Sequence, residues 1–172
     1  MVKQPEYIDR VYFKIPGEPK GKGRPRFARA GNYVRTYTPD ETVSYENLIK
    51  VEYQRQCRGK FYFKGTPLSA TVVAYYSIPS STSKKKKKLM LDGQIRPIKK
   101  VDVDNLLKVI FDSLNGVAYA DDIQIVECTV YKYFAQIPRV EVSLAEVLTL
   151  PDGEDYPEQI DIDSFTNRKG KS

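Results

Sequence analysis

Apolar and polar residues alternate from Ile8 to Ile15, where Val11, Phe13 and Ile15 stand against Tyr12 and Lys14, and this predicts a strand ended by Pro16-Gly17. Glu18 to Arg35 breaks the alternation with Gly, Lys and Arg and reads as a basic loop. Thr38-Pro39-Asp40-Glu41 holds a capping box with proline at the first helical position, which predicts a helix from Pro39 to Cys57 with Gly59 beyond its end. The β-branched and aromatic run Leu68 to Ile78 predicts a second strand, closed by Pro79. Ser80, Ser81 and Ser83 precede Lys84 to Lys88 and the apolar Leu89, Met90 and Leu91, a pattern for a short basic helix or a mobile arm. Leu106, Leu107, Ile110, Phe111 and Leu114 form one apolar face of a helix over Asn105 to Asn115, ended by Gly116. Ile123 to Phe134 and Arg139 to Glu146 then read as the two strands of a hairpin. The order β-α-β-(α)-α-β-β predicts an α+β fold, a single domain with a mixed β-sheet and helices.

Charge changes the picture. Across 172 residues, 28 Lys and Arg face 22 Asp and Glu, giving +6 and a pI near 9.1, a balance suited to a polyanionic partner. Residues 151–172 are the exception, with Asp152, Glu154, Asp155, Glu158, Asp161 and Asp163 against Arg168, Lys169 and Lys171. That segment is net −3 and residues 1–150 are +9, which predicts a domain over 1–150 and an acidic, flexible tail over 151–172. The tail is expected to shield the basic face when the polyanionic partner is absent. Cys57 and Cys128 lack zinc-site spacing, and neither a leader nor a spanning run is visible, so a cytoplasmic protein without a membrane role is expected.

Histidine is absent, which removes the commonest general base and metal ligand and leaves catalysis to carboxylates and lysines. Asp102 and Asp104 would lie on one side of an extended 101–104 segment, close to a helix N-terminus that favours their ionised form. The simpler alternative makes Asp104 an N-cap. Asp121 and Asp122 form a second pair, read either as a turn or as the source of a further ligand. A strand returning beside Asp102 would bring Asp122 to Asp102 and Asp104, and three carboxylates suit Mg²⁺ or Mn²⁺. Lys108, one turn after Asp104, either stabilises charge on a reacting phosphate or forms an ordinary ion pair with Asp104 or Asp112. Backbone phosphates of DNA are the expected partners of Lys20, Lys22, Arg24, Arg26, Lys84, Lys85, Lys86, Lys87, Lys88, Lys99 and Lys100. Tyr33 and Tyr37 stand among these charges and offer faces for base stacking. Gly21-Lys22-Gly23-Arg24 lacks P-loop spacing, so no nucleotide cofactor is expected.

The run Asp102-Val-Asp104-Asn105-Leu106-x-Lys108-x-x-x-Asp112-x-Leu114, followed by Asp121-Asp122-x-Gln124, resembles the catalytic signature of the RusA-type Holliday junction resolvases. Pro16-Gly17-x-Pro19-x-Gly21-Lys22-Gly23-Arg24-Pro25-Arg26 and Tyr37-Thr38-Pro39 resemble the subgroup common in phages of Gram-positive bacteria, and the likeness spans roughly residues 8 to 148. It implies a RusA-like α+β fold, with Asp102, Asp104 and Asp122 as metal ligands and Lys108 as the catalytic lysine. It also implies Mg²⁺ or Mn²⁺ as cofactor, a homodimer, and paired cuts in four-way DNA junctions in recombination and repair. The insert Ser80 to Gln94 and the acidic tail depart from the family's compact pattern. A nuclease for flaps or replication forks would share the chemistry and differ in substrate geometry. A junction-binding protein without cleavage would have no use for carboxylates clustered against phosphates.

Overall fold

The computed structural model describes residues 6–23, 26–30, 33–37, 40–98 and 100–148. Four strands, β1 (Tyr7–Pro16), β4 (Leu68–Ser77), β5 (Ile125–Ala135) and β6 (Arg139–Val147), form one sheet in the order β1-β6-β4-β5. Helices α1 (Asp40–Cys57) and α3 (Val103–Leu114) cover one face of it. The period-2 pattern of β4 buries Leu68, Ala70, Val72, Ala74 and Tyr76 against Phe13 and Ile15 of β1, Val140, Val142 and Leu144 of β6, and the helices. From α1 come Tyr45, Ile49 and Tyr53, and from α3 Leu106, Val109, Ile110 and Leu114, all in the same cluster. Such a one-sided core is what the sequence alternation demands. The α+β fold with a mixed sheet stands as expected.

Two expectations are corrected. β5 and β6 do not pair as a hairpin, because β4 lies between them, parallel to β5 and antiparallel to β6. Residues 136–138 carry the chain over the end of β4, a step of about 10 Å that three extended residues can span. The central place gives β6 hydrogen-bonding partners on both edges, β1 and β4, which a terminal hairpin would not. The second correction concerns the basic loop, of which Arg26–Ala30 and Tyr33–Tyr37 form strands β2 and β3, a separate two-stranded sheet. Gly31-Asn32 between two alternating runs is the hairpin signal that could have revealed it. The lysine run forms helix α2 (Lys84–Leu91), capped by Ser83 and lying against β5. Thr38, Pro39, the boundary at residue 150 and the tail lie outside the described residues.

Candidate active site at the two ends of α3

Helix α3 begins where an extended residue turns into helix. Asp102 is that residue, and its Oδ1 accepts the Asn105 amide at 2.8 Å while Oδ2 accepts Asn105 Nδ2 at 2.9 Å. The cap satisfies an amide that the first helical turn leaves without a partner. Extended geometry therefore stops at Asp102, the cap is Asp102 rather than Asp104, and Asp104 already sits in the first turn. The Asn105 backbone bond, with its side-chain bond second, holds the Asp102 carboxyl below its ordinary pKa, so it is ionised at neutral pH. Asp104 and Lys108 are exposed one turn apart. Asp112, the other expected partner of Lys108, is taken by Lys22 at 3.0 Å.

Gly116, with φ +69, ends the helix and lets the chain reverse. Asp121 then caps a 3₁₀ turn over Asp122–Gln124, its Oδ1 accepting the Ile123 amide at 3.0 Å. Buried Gln124 locks this turn. Its Oε1 accepts the Ala120 and Asp121 amides, and its Nε2 donates to the Phe63 and Thr66 carbonyls at 2.8 and 3.1 Å. Asp122 is half-buried, and burial, then the Asp121 carboxyl, then Asp112 raise its pKa. Asp122 thus has its charge disfavoured where Asp102 has it favoured.

The three carboxylates expected to gather do not meet within one chain. Among the described residues no three of His, Cys, Asp and Glu stand close enough to hold one ion. β5 does return along α3, but Asp122 precedes its start, at the far end of a helix about 18 Å long. What reaches the Asp102 segment is Lys132, near the other end of β5, whose Nζ donates to the Val101 carbonyl at 2.7 Å. Sequence reasoning missed Lys132. Its signal is a lysine in an inward register, beside Ala74 and between Val130 and Phe134, both packed on the core.

The basic strap before β2 is stitched to the same place. Lys22 N donates to the Asn105 carbonyl at 3.0 Å, and Lys22 Nζ reaches Glu46 at 2.7 Å as well as Asp112. Burial opposes that charge, yet the two carboxylates outweigh it and raise the Lys22 pKa. Gly21 explains its own identity, since a Cβ there would lie 2.6 Å from Val101 Cγ1 and 3.1 Å from Asn105 Cβ. Of the remaining expected DNA contacts, Lys100 pairs with Glu18 at 3.0 Å, Lys20 is exposed, and Lys84 to Lys88 are all exposed on α2. Arg26 falls in β2, while Arg24 and Lys99 lie outside the described residues.

A small α+β domain that sets acidic pairs and an exposed lysine along one core helix of a basic chain is suited to phosphate chemistry. The chain belongs to the RusA family, since residues 16–145 match the family described as Endodeoxyribonuclease RusA. It is also 36% identical over 142 residues to the uncharacterized protein YqaN of Bacillus subtilis (strain 168), an alignment covering 81% of this chain and 99% of that protein. The family is one of endodeoxyribonucleases, and no described helix is long and apolar enough to cross a membrane.

Proposed function

We propose that this chain is a Mg²⁺- or Mn²⁺-dependent endonuclease that resolves four-way DNA junctions by paired, symmetric nicks, serving recombination and repair in the cytoplasm. The observation that carries this reading is the Asp102 carboxylate, held ionised at the start of α3 one to two turns before exposed Lys108. Asp102, Asp104 and Asp122 are oxygen donors of the type a hard cation prefers. Asp102 retains free lone pairs beyond its Asn105 bonds. A cation held there would polarise a phosphate oxygen and acidify water. Lys108 contributes its ammonium to the charge that grows on the phosphate, and the basic surface holds the strand in line.

A homodimer is part of this reading, because a two-fold axis makes two equivalent sites that suit the approximate two-fold symmetry of a four-way junction. The test is cleavage of a synthetic four-way junction beside a duplex and a flap, with Mg²⁺ and with EDTA, using wild type and Asp104→Asn. Paired metal-dependent nicks lost in the variant are expected. Preferential flap cutting would replace the substrate, and tight binding without cleavage would leave a DNA-binding protein. Sedimentation of the intact chain tests the dimer, and a monomer at cleavage concentrations would sink it.

A further inference from the structure

Between Pro19 and Pro39 the chain has six cations, Lys20, Lys22, Arg24, Arg26, Arg29 and Arg35, and no acidic residue. Most of this run is the β2–β3 ribbon, paired from Arg26↔Tyr37 to Ala30↔Tyr33. The ribbon forms its own sheet and shares no ladder with the four-stranded one.

The register sorts the residues. Arg26, Ala28 and Ala30 share a face with Tyr37, Arg35 and Tyr33, while Phe27, Arg29, Val34 and Thr36 occupy the other. The base of the ribbon is fixed, because Lys22, four residues before Arg26, is bonded to Asn105, Glu46 and Asp112, and Gly21 packs on Val101. The strap that leads into the ribbon is therefore anchored beside the Asp102–Asp104 pair, and the ribbon's five-residue strands reach about 17 Å.

Resting on the nuclease reading above, we propose that the β2–β3 ribbon lies in a groove of the duplex arm next to the scissile phosphate, with Arg26 and Arg35 on its phosphates. A two-stranded ribbon fits the major groove of B-form DNA, and a run of cations without acids complements its backbone. The contact sets which arm, and how far from the branch, a phosphate reaches Asp102 and Asp104. It is a positioning contact and leaves sequence largely unread.

The test measures binding of the full-length chain to a four-way junction and to a duplex in Ca²⁺, across salt concentrations, for wild type, Arg26→Ala/Arg35→Ala and Arg26→Lys/Arg35→Lys. The alanine pair is expected to weaken binding on the order of tenfold to a hundredfold near 0.1 M salt and to flatten the logarithmic salt slope by about 2 for each ribbon engaged. The lysine pair should retain the slope. In the wild type, amide exchange over residues 26–37 should slow when junction is added. An alanine pair with wild-type slope and affinity, or a ribbon whose exchange ignores DNA, overturns the proposal. If wild type cuts junctions and either of those results appears, the ribbon inference alone falls. If wild type neither binds nor cuts branched DNA, the nuclease reading falls first.

Discussion

Asp102 and Asp104 at the start of α3 and Asp121 and Asp122 beyond its end are the same chemical pair set in opposite environments. At the first end a helix N-terminus and Asn105 supply donors, so the Asp102 charge is stabilised before any ligand arrives. At the second end burial and neighbouring carboxyls oppose the charge of Asp122, which would be relieved by a cation. One helix is thus flanked by one carboxylate, Asp102, whose charge the fold supports and another, Asp122, whose charge the fold resists. Resistance of this kind is common where function, rather than stability, chose the residue.

The comparison breaks most visibly in activity. Asp104→Asn should lower metal-dependent junction cleavage on the order of a hundredfold or more, with little change in Tm, because Asp104 is exposed and caps nothing. Cleavage at wild-type rate would take the first pair out of the chemistry. Gln124→Ala acts on the second pair alone. It strands the Phe63 and Thr66 carbonyls and the Ala120 and Asp121 amides, and should cost about 2–3 kcal/mol in urea unfolding. A loss below about 0.5 kcal/mol would show that water replaces the amide without cost.

Gly21→Ala is the matching perturbation of the first pair. The added methyl must displace Val101, at about 1–2 kcal/mol, and should shift the amide resonances of residues 101–105 while leaving 121–124 unmoved. Resonance changes confined to the strap would show that Gly21 does not position Asp102. The smallest effect is the sharpest contrast, because one substitution should have opposite signs at the two ends. Asp102 has a lowered pKa, so its charge adds stability above the ordinary carboxylate range, and that gain is lost as pH falls through the lowered value. Asp122 has a raised pKa, so its charge costs stability as pH rises toward neutrality. Asp102→Asn should therefore lower Tm at pH 7 and Asp122→Asn raise it, the Asp122 difference fading as pH falls through the ordinary carboxylate range and the Asp102 difference only below that carboxyl's lowered pKa. Equal signs at pH 7 would refute the contrast.

Much of this was legible in the chain. The apolar stripe of α3, the alternation of β4 and β6 and the extent of α1 were all readable, because each is imposed by the residue's near neighbours and one buried face. The Asp102-Val-Asp104-Asn105 run was readable as an acidic helix start, but spacing along the chain did not tell that Asp102, rather than Asp104, is the cap and that Asp104 already lies in the first turn. Gln124 was visible only as a motif letter. Two of its four bonds reach carbonyls some sixty residues away, and no local pattern announces those.

By itself, then, the sequence determined the kinds of elements outside the basic segment, the face each buries, and a basic chain without histidine in which carboxylates and lysines are the leading candidates for the chemistry. Tertiary structure decided what meets what. It placed β4 between β5 and β6, set the β2–β3 ribbon apart, tied Lys22 to Glu46 and Asp112 rather than leaving it to a phosphate, and sent Lys132 instead of Asp122 to the Asp102 segment. Periodicity and capping are energies between residues a few positions apart, whereas strand order and charge pairing are settled by competition among distant groups for one buried surface.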